Sequence, residues 1–500
     1  MKAIDLLAPH FPAQSIPDIE VHTLTENAQK ADANAILVCI RGARNDGHDF
    51  AAQAYAHGCR LFVAQKELSL PNDATVLNTT DTRRMLAILA RNFYGDPSRK
   101  MHVIGITGTK GKTTTAQLLV HILNCEGIPC GYVGTNGIAF ADRRLPTLNT
   151  TPDAVTLQRT LCDMLDHGVR TAVIEVSSQA LMQHRVAGMR FETVIFTNLS
   201  PDHIGENEHP DMEHYKSCKR RLFSEFEART AVYNADDAAS AEMLEGTTAI
   251  CRIACSTKQA DADLFTRDVN LLRDEQMLGV SFDVVSRESS LPCRLPLTGC
   301  FNACNALLSL AVAEHVFGIP LSRATAALSD AAVEGRSEIV PLPNGATAVI
   351  DYAHNGVSLA QLLSTLREYA PSRLIVLFGS VGGRSQMRRA ELGAVAACMS
   401  DLAILTSDNP ADESPASIIS DIARAFVGST TPYLAIEDRE DAIRQAVELT
   451  NAGDILVLAG KGHETYQLVG NQKLPFCEKD ILSDIIKYEK QRYLQGETVS

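Results

Sequence analysis

Short apolar runs alternate with helix-length segments along most of this chain, and this alternation constrains the fold more than any other feature. Each run ends in a turn rich in Gly, Asp or Asn, and a segment with helical spacing of apolar residues follows. The pattern is typical of βαβ units, in which helices connect parallel strands. We therefore predict an α/β fold with mostly parallel sheets. The predicted strands are 36–40, 103–107, 171–176, 193–198, 348–352, 374–378, 402–406 and 455–459.

The length of the chain predicts several domains. Its 500 residues exceed what one hydrophobic core normally supports, and the usual domain size predicts about three domains. Gly, Pro and charged residues interrupt the periodic pattern near 94–100 and 334–345. We accordingly predict domains at 1–98, 99–335 and 336–500.

Composition excludes several classes of protein. A net charge of −14 disfavours a nucleic-acid surface, which requires basic patches. No run approaches the roughly 18 apolar residues of a membrane-spanning helix, and the first residues, MKAIDLLAPHFPAQ, lack the features of a signal peptide. The 13 cysteines are scattered, and the pairs Cys251/Cys255 and Cys300/Cys304 have no matching His or Cys pair for zinc. We expect a cytoplasmic protein with reduced thiols and with neither a membrane nor a nucleic acid as partner.

A glycine-rich turn joins the strand-like HVIGI to the helical TTAQLLVHIL. Such a turn presents backbone N–H groups and the positive end of a helix to phosphate. The stretch 108–113, GTKGKT, matches only the second half of the usual phosphate-loop pattern, because Ile106 occupies the place of its first glycine. Lys112 is expected to contact the β- and γ-phosphates of a nucleotide, and Thr113 to ligate Mg²⁺. The alternative is a purely structural strand-to-helix turn.

Acidic and imidazole side chains follow two later predicted strands. Glu175 ends TAVIE, and Asp202 and His203 follow TVIFTNLSP. Open α/β sheets bind ligands at the carboxyl ends of their strands, where a carboxylate and a neutral imidazole can hold divalent ions. Taken singly, Glu175 could instead cap a helix, and His203 could be an ordinary surface histidine.

Seven motifs occur in the order seen in Mur ligases, and the chain resembles that family from residue 41 to residue 464. They are TGTKGKTT, EVSSQALMQHR, TNLSPDH, GRSE, DYAH, DNP and GKGHE. The resemblance implies an N-terminal uridine-nucleotide domain, a central P-loop ATPase domain and a C-terminal Rossmann-like domain. It also implies a reaction, in which the γ-phosphoryl group of ATP activates a substrate carboxylate as an acyl phosphate and an amine then forms an amide.

Within the family, the chain is most similar to the branch that forms the tripeptide of the peptidoglycan precursor. That branch adds a diamino acid to UDP-N-acetylmuramoyl-L-alanyl-D-glutamate. The resemblance implies ATP and Mg²⁺ as cofactors, these small molecules as partners, and a monomer. Lys112, Lys219 and His203 are the implied catalytic residues.

The resemblance also implies four groups of site residues. Those for ATP are Gly108, Thr109, Lys110, Gly111, Lys112, Thr113, Thr114, Asn302, Asn305, Arg336 and His354. Those for metal are Thr113, Glu175, His203 and a carbamylated Lys219. Those for the UDP-sugar peptide are Asn149, Thr150, Thr151, Ser177 and Arg185. Those for the acceptor amino acid are Arg384, Asp408, Asn409 and Glu464. Two alternatives stay open, in which Lys219 is an exposed helix lysine and Asn302 is a helix-start cap.

The acceptor motif bears on the choice of amino acid. Family members that use meso-diaminopimelate carry Asp-Asn-Pro-Arg, whereas this chain has Ala411 after Asp408-Asn-Pro, followed by Asp412 and Glu413. Alanine cannot pair with a distal carboxylate, and an acidic neighbourhood favours a distal ammonium. We predict L-lysine, or a similar diamine such as ornithine. The alternative is that both acids are solvated loop residues that cap the next helix.

Several segments depart from the family pattern. The early Asp-Ser-Arg is missing from 22–30, the segment 204–210 is longer than usual, Asn355-Gly replaces Thr-Pro, and 382–385 lacks both aspartates of Gly-Gly-Asp-Arg-Asp. Two other functions remain as hypotheses: an amide ligase for a different carboxylate, and a non-catalytic relative that binds the nucleotide-sugar. A plain P-loop kinase would leave the C-terminal motifs without a role.

Overall fold

The computed structural model describes residues 1–42, 45–205, 208–274, 277–335, 337–383 and 386–494, without the side chains of 489–494. It divides into two compact units, Met1–Phe265 with Leu307–Leu321, and Thr266–Ala306 with Ser322–Ser500. The domain boundaries at 98/99 and 335/336 stay a prediction. None of the helices in the described ranges has the length and hydropathy needed to cross a membrane.

The helices have the following bounds. They are α1 (Ala3–Leu7), α2 (Ala51–Ala56), α3 (Thr82–Phe93), α4 (Lys112–Cys125), α5 (Ala154–Asp166), α6 (Ser178–Met182), α7 (Met212–Ser224), α8 (Ser240–Met243), α9 (Phe301–His315), α10 (Leu321–Ala327), α11 (Gly356–Arg367), α12 (Gln386–Met399), α13 (Pro415–Ala423), α14 (Arg439–Glu448) and α15 (Glu478–Leu494).

The strands have the following bounds. They are β1 (Thr23–Thr25), β2 (Ala35–Val38), β3 (Leu61–Ala64), β4 (Thr75–Asn78), β5 (His102–Thr107), β6 (Cys130–Gly134), β7 (Gly137–Phe140), β8 (Arg143–Leu145), β9 (Thr171–Glu175), β10 (Thr193–Phe196), β11 (Thr230–Asn234), β12 (Cys251–Ser256), β13 (Leu264–Arg273), β14 (Leu278–Val285), β15 (Ser290–Leu295), β16 (Glu338–Pro341), β17 (Thr347–Asp351), β18 (Leu374–Phe378), β19 (Leu402–Leu405), β20 (Tyr433–Ala435), β21 (Ile455–Ala459), β22 (Tyr466–Val469) and β23 (Gln472–Pro475).

The first unit contains two sheets. The smaller one has the parallel order β1-β2-β3-β4. The larger one has the order β12-β11-β10-β5-β9-β6-β7-β8, in which the strands from β12 to β6 are parallel and β7 and β8 are antiparallel. The carboxyl ends of β5, β9, β10 and β6 therefore meet at one edge, which is where the phosphate-binding turn and the predicted metal residues lie.

The second unit contains a sheet of order β16-β17-β21-β18-β19-β20. The strands from β17 to β20 are parallel, and β16 pairs antiparallel to β17. Val349 and Val457 belong to one apolar cluster, while their neighbours Ala348 and Leu456 belong to another. Both faces of the central strands are thus buried, which explains why these strands are continuous apolar runs.

Each predicted strand corresponds to an observed strand, with ends that agree within two residues. The prediction of a mostly parallel α/β fold is confirmed. The strands not predicted from the sequence include parallel ones, such as β3, β6 and β11, and antiparallel hairpins, such as β14–β15 and β22–β23. Half of the residues of β15 and all of those of β23 are exposed, so these two strands lack the apolar run by which a buried strand is recognised.

Candidate active site

The phosphate-binding turn lies between β5 and α4, as its sequence predicted. Gly108 has φ +148° and Gly111 has φ +83°, and a Cβ at Gly108 would collide with Thr197 Oγ1. The Lys112 ammonium donates to the carbonyls of Gly108 and Thr109, at 2.9 Å each. The turn therefore places backbone and an ammonium group at the N-terminus of a helix, which suits a nucleotide phosphate. These residues fit the ATP that the sequence implies.

The loop after β10 holds the turn in place. Asn198 accepts from the backbone of Lys110 through Oδ1, at 3.0 Å, and from the N–H of Thr109 through its carbonyl, at 2.8 Å. Thr197 Oγ1 donates to the carbonyl of Lys110 at 2.6 Å. The conformation of the turn is thus set by a strand end that is distant in sequence.

Glu175 is fully buried and accepts hydrogen bonds from several neighbours. Thr113 Oγ1 donates to Oε2 at 3.0 Å, and the Tyr132 hydroxyl donates to Oε1 at 2.5 Å. Thr135 donates through its N–H at 3.1 Å and through Oγ1 at 3.2 Å. The contact with Thr113 joins two predicted metal ligands, and oxygen ligands of this kind suit Mg²⁺. The alternative of a helix cap is wrong, because Ser177 caps α6.

Tyr132 and Thr135 were not predicted from the sequence. Both lie in or just after β6, which pairs with β9, the strand that ends in Glu175. The turn Gly134-Thr-Asn-Gly137 was the available signal, since it marks the carboxyl end of a strand. Recognising it required knowing that β6 and β9 are neighbours.

Most of the residues predicted for the UDP-sugar peptide come together beside Glu175. Thr150 Oγ1 lies 3.1 Å from Thr135 Oγ1, and Thr151 Oγ1 donates to the carbonyl of Glu175 at 2.7 Å. The backbone N–H of Ser177 donates to Thr151 Oγ1 at 3.1 Å. The predicted substrate residues and the predicted metal residues therefore share one hydrogen-bonded group.

Arg185 and Asn149 are the remaining predicted peptide residues. The Arg185 guanidinium donates to the carbonyl of Thr151 at 2.6 Å and to Gln183 Oε1 at 2.8 Å. Burial lowers its pKa from the ordinary value. Asn149 is exposed. Arg185 thus lies next to Thr151, where it can reach a carboxylate bound near the threonines.

Lys219 lies on α7 and is only 1% exposed, so the alternative of an exposed helix lysine is wrong. Its ammonium donates to the Gly108 carbonyl at 2.8 Å and lies 4.3 Å from the centre of the Tyr215 ring. Burial, followed by the charge of Lys112, holds the pKa of Lys219 well below its usual value. Two lysines therefore donate to one carbonyl of the phosphate-binding turn.

His203 lies on an exposed loop. Its Nδ1 is 2.9 Å from Glu208 Oε1, and its ring centre is 6.2 Å from that of Tyr215, the residue that packs against Lys219. Its φ is +54°, and its N–H donates to Asp202 Oδ1. A role for His203 in binding a metal together with Lys219 stays a prediction.

Three of the predicted acceptor residues, Asp408, Asn409 and Glu464, surround Lys461, which was not predicted from the sequence. Its buried ammonium donates to Asn409 Oδ1 at 3.1 Å and to Glu464 Oε2 at 3.0 Å, and lies 3.7 Å from Asp408 Oδ1. Asn409 Nδ2 also donates to Glu464 at 2.8 Å. The GKGHE motif contains Lys461, but nothing local indicated that this lysine is buried among acids.

The remaining predicted nucleotide residues lie elsewhere in the second unit. Asn302 Nδ2 donates to the Thr298 carbonyl, and Asn305 Nδ2 donates to Asn302 Oδ1, at 2.8 Å each. Asn302 is therefore not an accepting helix cap, and that alternative is wrong. His354 Nδ1 lies 2.9 Å from the carbonyl of Tyr352. Arg336 and Arg384 lie outside the described residues.

Comparison with known proteins assigns the family. The model of the Mur ligase family catalytic domain matches residues 20–94, that of the Mur ligase middle domain matches 106–313, and that of the Mur ligase glutamate ligase domain matches 335–462. The chain belongs to the Mur ligase family. The prediction from the seven motifs is confirmed, as is the prediction of a ligase.

Two similar Mur ligases carry the same name, UDP-N-acetylmuramoyl-L-alanyl-D-glutamate–2,6-diaminopimelate ligase. The protein of Caldanaerobacter subterraneus subsp. tengcongensis is 34% identical over 487 residues, covering 97% of this chain and 99% of the relative. The protein of Halalkalibacterium halodurans is 36% identical over 473 residues, covering 94% of this chain and 95% of the relative.

Solved structures agree with this assignment. One of a protein with the same name is 28% identical and has a TM-score of 0.71, covering 98% of this chain and 99% of the other. The D-alanyl-D-alanyl-adding Mur ligase of Acinetobacter baumannii, at 18% identity and a TM-score of 0.59 over 94% of each chain, shares the fold.

The acceptor motif of this Mur ligase corrects one step of the sequence argument. The Glu413 carboxylate accepts from the buried Arg389 guanidinium at 2.6 and 2.7 Å, and Arg389 also contacts Asp421 at 2.8 Å. These bonds lower the pKa of Glu413 to about 2. Glu413 is thus neither a solvated loop acid nor a free charge that attracts an ammonium. The evidence for a diamine therefore rests on Ala411 and the exposed Asp412.

Proposed function

We propose that this chain is an ATP-dependent amide ligase that adds a diamino acid to UDP-N-acetylmuramoyl-L-alanyl-D-glutamate, forming ADP and phosphate. The reaction would serve peptidoglycan precursor synthesis in the cytoplasm, with Mg²⁺ as cofactor and the enzyme as a monomer. The observation that carries the proposal is the group formed by the phosphate-binding turn, Thr113, Glu175 and Lys219. The names of relatives that match almost the whole chain supply the substrate class.

Phosphoryl transfer between two anions requires charge neutralisation and positioning. The backbone of 108–113 and the Lys112 ammonium would bind the ATP phosphates. Thr113 and Glu175 would hold Mg²⁺, which supplies positive charge to the transferred group. Thr150, Thr151 and Arg185 would bind the peptide, so that its carboxylate lies beside the γ-phosphate.

Lys219 needs chemical modification to assist in this site. An ammonium repels Mg²⁺, whereas a carbamate formed from CO₂ offers an anionic oxygen ligand. Only the neutral amine reacts with CO₂, and the lowered pKa of Lys219 increases the neutral fraction. We propose that Lys219 acts as a carbamate, together with His203, near the acceptor carboxylate.

The second unit would bind the incoming amino acid. Asp408, Asn409 and Glu464 can accept hydrogen bonds from its amino groups, and Lys461 fixes their orientation. Arg384 would hold the α-carboxylate. A neutral amine bound there could attack the acyl phosphate, from which phosphate departs readily.

The identity of the amino acid has two candidates. Ala411 provides no guanidinium for a second carboxylate, which favours L-lysine or ornithine. The names of the relatives favour meso-diaminopimelate instead. We propose L-lysine, because Ala411 is the residue of this chain that departs from the motif for diaminopimelate.

Phosphate release tests the function and the acceptor together. Purified protein would receive ATP, Mg²⁺ and UDP-N-acetylmuramoyl-L-alanyl-D-glutamate, with lysine, ornithine or meso-diaminopimelate in separate reactions, and mass spectrometry would identify the product. We expect turnover to depend on lysine. Turnover with meso-diaminopimelate alone would contradict the lysine assignment. Nucleotide-sugar binding without turnover in any reaction would favour the non-catalytic relative, and absence of both would favour a different carboxylate.

Ala411→Arg tests the acceptor pocket directly. A guanidinium–carboxylate pair contributes about 1.5–3 kcal/mol, which corresponds to roughly 10- to 100-fold in kcat/KM. We expect kcat/KM for lysine to fall and kcat/KM for meso-diaminopimelate to rise by about this factor. Ala411 already has φ +51°, so a longer side chain at this position adds no new backbone strain.

Ala411→Gln is the matched control for that experiment, because glutamine adds length without charge. It should not raise the use of meso-diaminopimelate. If Ala411→Arg and Ala411→Gln change kcat/KM for lysine and for meso-diaminopimelate by the same factors, residue 411 lies outside the pocket.

A further inference from the structure

Two histidines and one cysteine converge beside the N-terminal half of α7. His209 Nδ1 lies 2.9 Å from His214 Nδ1, and Cys218 Sγ lies 3.8 Å from His214 Nδ1. The three ligand atoms lie within 4.8 Å of one another. In a tetrahedral site with bonds of about 2.0–2.3 Å, ligand atoms are separated by roughly 3.3–3.7 Å. The three side chains are therefore close to the spacing that one bound ion would impose.

The surroundings orient these ligands. His209 is fully buried, and its other ring nitrogen, Nε2, lies 2.9 Å from Ser178 Oγ. A metal-binding histidine usually bonds a second polar group through the nitrogen that does not bind the metal. His214 and Cys218 are separated by one helical turn, so they present their ligand atoms on the same face of α7.

The ligand types also suit a metal. Cys218 is buried. Imidazole and thiolate ligands favour Zn²⁺ and similar borderline-soft ions, whereas Mg²⁺ prefers oxygen.

We propose that His209, His214 and Cys218 bind one Zn²⁺-class divalent ion, in a site separate from the Mg²⁺ site of the ligase. Three protein ligands leave a fourth position for water or another small ligand. The spacing His-x4-His-x3-Cys crosses the junction between a loop and α7, which is why no zinc pattern was recognised in the sequence.

An ion at this site connects two parts of the reaction centre. The N–H of His209 donates to the carbonyl of His203 at 3.0 Å, and the Gly205 N–H donates to the carbonyl of His209, also at 3.0 Å. Cys218 directly precedes Lys219 on α7. An ion bound by His209 and Cys218 would therefore link the loop that carries His203 to the helix that carries Lys219.

The experiment uses full-length protein stripped of metal by a chelator. Co²⁺ is the spectroscopic probe, because a bound thiolate produces a charge-transfer band, and Zn²⁺ affinity is measured against a competing chromophoric chelator. We expect one equivalent of Co²⁺ to bind with this band, and Zn²⁺ to displace it even in excess Mg²⁺. Cys218→Ala should abolish the band and weaken Zn²⁺ binding by about 100-fold.

Cys125→Ala is the matched control. Cys125 Sγ lies 3.7 Å from His121 Nε2 on α4, with the same helical spacing as His214 and Cys218, but this pair belongs to no three-ligand group among the described residues. The control should leave the band unchanged. If Cys218→Ala does not fold, His214→Gln replaces it, since that side chain is only half-buried.

Three results would overturn the proposal. They are binding only at millimolar metal, a charge-transfer band that survives in Cys218→Ala or His214→Gln, and displacement of Co²⁺ by Mg²⁺ at equal concentration. None of these measurements requires ligase turnover, so the outcome is independent of the proposed acceptor.

Discussion

Replacing Lys219 with alanine is expected to lower kcat by about 1,000-fold or more, which corresponds to roughly 4 kcal/mol of transition-state stabilisation. The lysine is buried beside the phosphate-binding turn, and its carbamate would supply an anionic ligand where charge is transferred. The measurement is the initial rate of phosphate release at saturating ATP and substrates. Circular dichroism would show that the variant is folded.

Partial rescue separates the carbamate from a structural role. A short carboxylic acid such as formate or acetate can enter the space left by the side chain and replace the missing anionic oxygen. We expect added formate to restore part of kcat in Lys219→Ala and to have no effect on the unmodified enzyme. Rescue by a primary amine instead would indicate that the ammonium is the active form.

Lys216→Ala is the matched control, because Lys216 lies on the same helix and pairs with Glu213 and Glu242 at 2.8 and 2.9 Å. We expect its rate to stay near that of the unmodified enzyme. An unchanged rate in Lys219→Ala would rule out a catalytic carbamate at this position.

Replacing Arg439 with methionine is expected to lower the free energy of unfolding of the second unit by about 3–5 kcal/mol. Arg439 and Glu478 are both fully buried, and the guanidinium contacts the carboxylate at 2.8 and 2.9 Å. Arg439 also donates to the carbonyls of Ser407 and Ala459, which precede Asp408 and Gly460. The variant would therefore leave a buried carboxylate and two carbonyls without their donor.

Hydrogen exchange of the β21 amides would measure the decrease in the free energy of unfolding, because these amides exchange when the sheet that contains Ala459 opens. Arg444→Met is the matched control, since Arg444 forms an exposed pair with Glu440 on the same helix. Removing such a pair costs about 0.3–0.5 kcal/mol. A loss below 1 kcal/mol in Arg439→Met would contradict the argument from burial.

The double variant Arg439→Met/Glu478→Leu should recover most of the stability, because apolar residues of similar volume can replace a buried ion pair. The single variant should also depend on pH. Burial raises the pKa of Glu478, and without Arg439 nothing comparable opposes that rise. The folded state then binds more protons than the unfolded state, so its stability falls as pH increases above the unfolded pKa of Glu. We expect a smaller loss at pH 5 than at pH 8.

Eight parallel strands and the phosphate-binding turn could be predicted because their signals are local. The run HVIGI, a turn with two glycines and a helical segment identify a strand, a phosphate loop and a helix within about twenty residues. The same holds for the strands of the second unit, whose continuous apolar runs reflect burial on both faces. The order of the seven motifs along the chain then identified the family.

The environment of individual side chains could not be predicted in this way. In the sequence, Lys219 is one of several basic residues on a helix. In the structure it is buried and donates to the carbonyl of Gly108, which lies 111 residues earlier in the chain. Glu413 resembles an ordinary loop acid in the sequence, yet it pairs with the buried Arg389, which also contacts Asp421 on α13. Burial and charge neutralisation both depend on contacts that no local pattern specifies.

The sequence by itself determined eight buried parallel strands, the phosphate-binding turn and the family to which the chain belongs, because periodicity and motif order are properties of the chain alone. The tertiary structure decided that Thr135 and Tyr132 reach Glu175, that Lys461 lies among the acceptor residues and that His209 meets His214 and Cys218. The physical reason is that hydrogen bonds, desolvation and metal geometry depend on distances of a few ångströms, and sheet pairing sets those distances between residues that are far apart in sequence.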